Sequence, residues 1–535
     1  MSPAPSRFPI AAACLATACL ATGLGAAAAG GQQFVDETAT RFPTPAATDY
    51  SNQATVGDLD GDGDLDLVFA NGGNFASPGS PQVQRVYVND GTGVFTDESA
   101  ARLGFSALAR GAELGDVDGD GDLDLVFAQD FDRQPALFVN DGNGFFTDVT
   151  AEQLPALPLS SSRAQFGDID NDGDLDLYLT NGVGSRFGCG QYQVWVNDGL
   201  GTFVDETAAR HPIENVCENM DCIFGDVDND FDLDVRTGST GAANSRLYVN
   251  DGAGVFALST SIPADNNAYS YDFGDIDGDG DLDLLGANAN PSSLGELLLL
   301  NDGTGSFTDV SNRLDPNPSE DDNDSKFFDY DDDGDLDLVI ARLGGTSEKV
   351  YENDGDGNFV LVPGVIQAVS DSSLDLVVAD FDGDGRLDVV TAQGESGSFV
   401  NRIYVNGGPA DDRAPRIVAT EVPADPQPGE PFYVVRALVL DDMTSDRNFF
   451  DRGVTLHYSV DGGAELEAAM RYSGGQVYRG LVPGQESGAL VEYFVTARDW
   501  ADNLGTGAAQ SFHVGGIFAD GFESGDTSAW SLTVP

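Results

Sequence analysis

Seven short segments of this chain place aspartate at alternate positions, at a density that leaves few chemical options. They carry Asp58, Asp60, Asp62, Asp64 and Asp66; Asp116, Asp118, Asp120, Asp122 and Asp124; Asp168, Asp170, Asp172, Asp174 and Asp176; Asp226, Asp228, Asp230, Asp232 and Asp234; Asp275, Asp277, Asp279, Asp281 and Asp283; Asp329, Asp331, Asp333, Asp335 and Asp337; and Asp380, Asp382, Asp384 and Asp388, where Arg386 replaces the fourth acid. Carboxylates this close repel one another, and the chain offers only 25 bases to 90 acids, a net charge of −65. A bound hard cation relieves that repulsion, and calcium takes about six to eight oxygen ligands in such loops. Side chains at loop positions 1, 3, 5 and 9 are the expected ligands, joined by the backbone carbonyl of position 7. Up to seven calcium ions are therefore the expected cofactors.

An EF-hand reading fails at position 12, which needs a glutamate. Here it is Phe69, Phe127, Leu179, Thr237, Gly286, Ile340 and Thr391. The residues after position 9, such as Leu67-Val68-Phe69-Ala70, form short apolar runs that suit strands. Position 6 is usually glycine, as a sharp turn with positive φ requires. Phe231 and Arg386 break the pattern, at positions 6 and 7, and mark the fourth and seventh loops as the weakest.

The elements that hold these loops repeat with them. Each unit carries a second landmark of the type Val86-Tyr87-Val88-Asn89-Asp90-Gly91, and Asn-Asp-Gly between alternating apolar residues signals a hairpin. One unit then reads strand, acidic loop, strand, connection, strand, tight turn, strand. Four strands in about 50 residues suit a propeller blade. The seventh unit stops at Asn406-Gly407-Gly408 without its last strand. Residues Phe34–Arg41 match Phe203–Arg210, the end of the third unit, at all positions but one. They are expected to supply the missing strand and cover an open sheet edge.

The units resemble FG-GAP and VCBS-type repeats, found in integrin α-chain propellers and in many secreted bacterial proteins. The Phe-Gly of that pattern stands at Phe166-Gly167, Phe224-Gly225 and Phe273-Gly274. The resemblance implies a seven-bladed β-propeller with calcium loops on one face, and implies no single activity. The expected fold is all-β: a seven-bladed β-propeller over residues 31–409, followed by an immunoglobulin- or fibronectin-like β-sandwich over 410–515. That second part rests on alternating strands at Ile417–Val422, Tyr433–Leu440, Thr455–Val460, Gln476–Leu481 and Val491–Ala497.

Residues 1–30 read as a secretory signal, with Arg7, an apolar Ile10–Leu24 stretch and small residues at Ala27–Ala29. Residues 516–535 form a C-terminal tail motif with a sorting role or none. No span remains after signal removal, so the chain is expected to be secreted or at the cell surface. Three cysteines are left, Cys189, Cys217 and Cys222; an oxidising compartment favours one disulfide and one spare thiol, without fixing the pair. The acidity excludes nucleic acid, whose binding needs basic contacts.

The first functional reading is a platform for an extracellular glycan or protein ligand. Connections opposite the acidic loops would form the contact surface, with Tyr50, Phe75, Phe105, Phe187, Tyr192 and Tyr269 as stacking candidates. The alternatives are a polysaccharide lyase or hydrolase, and a purely structural surface protein. No catalytic residue is assigned, and His211 reads as a solvated loop histidine.

Overall fold

The computed structural model describes residues 32–515 except 74–76, 183–188, 241–244, 266, 289–294, 344–346, 371, 395–396, 425 and 445–448. The expected signal (1–30) and the tail (516–535) lie outside the described residues, as do Phe75 and Phe187. No helix among the described residues is long and apolar enough to cross a membrane.

Each acidic loop joins two antiparallel strands, as its apolar flanks predict. In the first repeat these are Ser51–Gly57 and Asp66–Asn71, which continue through Arg85–Asn89 to Phe95–Asp97 in one four-stranded sheet. Six more sheets keep this order. Their first strands are Ala109–Gly115, Ala164–Gly167, Asn219–Gly225, Ala268–Gly274, Asp322–Phe328 and Ser373–Ala379. Each first strand touches the next, and Ser373–Ala379 touches Ser51–Gly57, so these contacts run in a closed cycle. Second strands are buried on both sides, which explains runs such as Leu67-Val68-Phe69-Ala70.

The seventh sheet is completed from the other end of the chain. Phe34–Asp36 pairs antiparallel with Tyr404–Asn406, and Phe34 is buried against Phe328 and Tyr330. The expectation of one strand over residues 34–41 needs correction: it ends at Asp36, and Thr38–Arg41 is a helical turn. Asp36 Oδ1 accepts the Thr38 N–H at 3.0 Å and starts that turn. The same device recurs at Ser99–Arg102, Thr150–Gln153 and Thr207–Arg210.

Two further sheets follow. One runs Arg416–Thr420, Phe432–Leu440, Val477–Pro483 and Arg471–Gly474; the other centres on Phe449–Val460 and Leu490–Asp499. They share one core that includes Tyr433, Val435, Leu456, Tyr493 and Phe512. This pair sits on the acidic-loop side of the repeats, where the backbone N–H of Asp168 donates to Ser473 O and that of Asp329 to Asp442 O, both at 2.7 Å.

Candidate metal centres

The acidic loops share one plan, which varies in detail: Asp168 and Asp275 at position 1 and Asp388 at position 9 each keep one buried oxygen without a partner. In the first, Gly61 and Gly63 donate their N–H groups to Asp58 at 2.8 and 3.0 Å. Asp64 N–H donates to Asp62 Oδ1 at 3.0 Å. Asp66, at position 9, accepts from Leu59 N–H at 3.1 Å and from Asn89 N–H at 2.8 Å. Backbone donors thus hold positions 1, 5 and 9 in place. Positive φ is needed at position 6, as the glycine pattern predicts, and at position 4 too, where Gly61, Gly119, Gly278 and Gly383 alternate with Asn171, Asn229 and Asp332. Short polar side chains tolerate that conformation best after glycine.

Position 3 is different. One buried oxygen has no hydrogen-bond partner in Asp60, Asp170, Asp228, Asp277, Asp331 and Asp382, six of the seven loops. Only Asp118 uses that oxygen, accepting Asp120 N–H at 3.3 Å. Carboxylate oxygens of Asp58, Asp60 and Asp62 lie within 4.8 Å of one another, as do those of the Asp168 and Asp226 loops. Burial pushes Asp66 and Asp124 up to about 7, Asp283 to about 8 and Asp176 to about 9, with nearby loop carboxylates adding to the rise. Converging, orphaned, desolvated oxygens of this kind fit a hard divalent cation.

The asparagine of the Asn-Asp-Gly turn does more than turn the chain. Asn89 Nδ2 donates to Leu65 O in its own loop and to Phe381 O in the preceding one. Asn140, Asn197, Asn250, Asn301, Asn353 and Asn406 repeat this double contact. Each is thus a clip between consecutive acidic loops, a role invisible from turn propensity alone. The turn glycine is needed as well: a Cβ on Gly91 would stand 2.5 Å from Asp64. Arginines after three fourth strands also brace the loops. Arg41 bonds Asp382 at 2.8 Å, Arg102 bonds Asp60 at 2.9 Å and Arg210 bonds Asp170 at 2.8 Å.

The C-terminal sheets send further arginines onto the loops, which the sequence did not foretell. Arg436 bonds Asp232 at 2.7 Å and Phe231 O at 2.8 Å, with its guanidinium 5.7 Å from the Phe231 ring centre. Phe231 does adopt positive φ, at 67°, so the strain read from its sequence position is present. Arg416 pairs with Asp275, Arg479 stands 3.9 Å from Asp168 and Arg471 3.7 Å from Asp116. Arg386 turns aside to bond Gly408 O and Asp384, both at 2.6 Å.

A second set of acids lines a cavity of 130 Å³ between the first strands, with Thr444, Gly475 and Gln476 of the C-terminal sheets at one side. Asp221, Asp272, Asp324 and Asp375 each accept a backbone N–H from the next first strand: Tyr271, Phe327, Leu376 and Ala54, at 2.7 to 3.0 Å. Arg163 bonds Asp221 at 3.1 Å and Asp375 at 2.6 Å, and Lys326 lies 3.5 Å from Asp272.

Other sequence expectations are corrected here. Tyr192 is buried, with its hydroxyl on Asn219 and Thr237, and Phe105 packs on Phe127 and Phe138, so neither is a free stacking surface. Tyr50 and Tyr269 are half-buried. His211 is buried rather than solvated; its ring contacts the Tyr178 hydroxyl at 3.0 Å and Gln191 at 3.1 Å. The disulfide is Cys189–Cys217, across the short ladder Cys189–Gly190 and Val216–Cys217, and Cys222 is the buried free thiol.

Four stretches, residues 58–127, 116–179, 238–286 and 329–391, match the FG-GAP-like repeat. No curated protein matches the chain. Solved structures with some likeness include the V. cholerae biofilm matrix protein Bap1 (12% identity, TM-score 0.33, covering 89% of this chain and 76% of that one). They also include a Penicillium chrysogenum alpha-L-arabinanase complexed with arabinobiose (12%, 0.36, 70% and 97%) and the polysaccharide lyase Uly1 (10%, 0.36, 67% and 90%). Likeness at this level defines neither a fold nor an activity.

Proposed function

We propose that this chain is a secreted, calcium-stabilised seven-bladed β-propeller that carries a C-terminal immunoglobulin-like β-sandwich and presents a binding surface to an extracellular glycan or protein. The calcium reading rests above all on the position-3 oxygens, buried and unpartnered in six of seven loops. The cyclic contact of first strands and the shared seventh sheet support the propeller, with its boundary near residue 409. Two sheets around one core support the sandwich over 410–515. The disulfide suits an oxidising compartment, in line with a signal at residues 1–30.

The C-terminal sheets occupy the acidic-loop side. The opposite side, built by the connections between second and third strands, is the side we assign to ligand recognition. Connections there vary in length along the sequence, as recognition loops do. Gln82–Val83 pairs with Ser106–Ala107, and the Cys189–Cys217 bond ties another pair, so two of these connections are braced.

An array of glycans and extracellular proteins, probed with the full chain in millimolar calcium and again in excess chelator, tests the reading. Calcium-dependent retention of a defined ligand is the expected result. Breakdown of a glycan without retention would move the protein to the polysaccharide-active enzymes. Calorimetry showing no calcium uptake would remove the metal from the account.

A further inference from the structure

A separate group of acids stands where the C-terminal sheets meet the repeats. Asp411 comes from the segment between the two parts of the chain, Asp441 and Asp442 follow the strand Phe432–Leu440, and Asp499 ends the strand Leu490–Asp499. All four line one small cavity of 20 Å³, with Asp380 and Trp500 beside them. That volume holds about one ion or one water.

The cluster is held in place but not neutralised. Asn503 donates its N–H to Asp499 Oδ1 at 2.8 Å and its Nδ2 to Asp411 Oδ2 at 3.1 Å. Asp411 N–H bonds Gly385 O at 2.6 Å, which ties the cluster to the seventh acidic loop. Asp499 is only 3% exposed, yet its Oδ2 has no partner, and Asp441 Oδ2 is likewise buried and unpartnered. Among the described residues no base pairs with any of the four; Arg498, the nearest in sequence, pairs with Asp502 instead. One water cannot offset four carboxylates. Burial first, and then mutual repulsion, pushes Asp411 up to about 6 and raises Asp441 and Asp442 well above the carboxylate range.

We propose that Asp411, Asp441, Asp442 and Asp499 form a further site for a hard divalent cation of the calcium class, which clamps the C-terminal sheets onto the repeats. Its four acids lie outside the repeated loops, with Asp380 of the seventh loop lining the same cavity. Its ligands come from three separate places in the sequence, so a bound cation adds to the arginine contacts that already join the C-terminal sheets to the loops.

Trp500 makes the site readable. Terbium(III) takes calcium-type oxygen sites and luminesces when a neighbouring tryptophan is excited. Full-length protein loaded with terbium should show tryptophan-sensitised emission that excess calcium abolishes. Asp441→Asn, Asp499→Asn and Trp500→Phe should each lower it at least fivefold, while Trp195→Phe should not. Asp382→Asn, in the adjacent loop, separates the two kinds of site: it should leave the Asp499-dependent emission in place. The proposal is overturned if emission survives both Asp441→Asn and Asp499→Asn, or is lost in Asp382→Asn alone. Should either asparagine variant fail to fold by circular dichroism, Asp382→Asn with and without Trp500→Phe decides, and emission from Asp382→Asn that is independent of Trp500 overturns it.

Discussion

Two of the regions where the molecule concentrates acid resolve it in two ways. In the cavity between the first strands, Asp221, Asp272 and Asp375 meet Arg163 and Lys326, and every acid there, Asp324 included, also takes a backbone N–H from the next sheet. In the loops, backbone N–H groups fix positions 1, 5 and 9, while a buried oxygen at position 3 is left over. The first arrangement is largely compensated by its own bases, with Asp324 Oδ1 alone among its acids' oxygens left buried and unpartnered; the second is the one that our proposal completes with a cation. Density of aspartate therefore does not mark a metal site. Converging buried oxygens without partners, repeated from loop to loop, are what carries the metal proposal.

The largest expected effect separates the two regions outright. A site occupied at about ten times its dissociation constant contributes roughly 1.4 kcal/mol by mass action, so seven contribute on the order of 10 kcal/mol, as much as a typical domain's whole stability. Chelation should lower the melting temperature steeply, and a melting curve unmoved by excess chelator would erase the contrast. Arg163→Met tests the compensated region. Removing one partner of a buried pair costs about 3–5 kcal/mol, and here it strands Asp221 and Asp375. The loss in denaturant midpoint should be the same with and without calcium; a loss that calcium restores would place Arg163 with the loops.

Differences among the loops come next. Asp275→Ala removes a first-position acid from a loop with glycine at position 6 and should lower calcium stoichiometry by about one. Asp226→Ala should change it less, since Phe231 is held at positive φ there. Calorimetric titration of both variants gives the ranking, and the reverse order would refute it.

The smallest effect is in pH. Asp66 and Asp124 rise from an ordinary 3.8 to about 7 through burial. Protonation then favours the folded state, so in metal-free protein their contribution is full below about pH 4 and lost as pH rises through about 7. Metal-free protein should melt higher at pH 5 than at pH 8. Calcium should reverse that order, because its ligands must be deprotonated; scanning calorimetry at both pH values checks the sign.

Much of this was legible in the sequence, for a physical reason. Period-two apolar runs and fixed acid spacing are local, and they placed the loops and their flanking strands, while the match of Phe34–Arg41 to Phe203–Arg210 placed the completion of the seventh sheet, though not its end at Asp36. What escaped depends on neighbours. Asn89 reads as a turn residue, yet its amide reaches a carbonyl nearly 300 residues away, at Phe381. Tyr192 and His211 sit on connections that would normally be exposed, and the neighbouring fourth sheet buries them through Asn219 and Tyr248. Nothing in the spacing of Arg416, Arg436 or Arg479 announced that they would settle over acidic loops.

The shared seventh sheet also sets an order of events. Among the described strands Phe34–Asp36 leaves the ribosome first, and it can find Tyr404–Asn406 only after the repeats between them exist. Closing so long a span costs little more entropy than closing half of it, because the penalty grows only logarithmically with length. Until that strand docks, the nascent protein keeps a sheet edge open to any chaperone, or any second chain, that can read one.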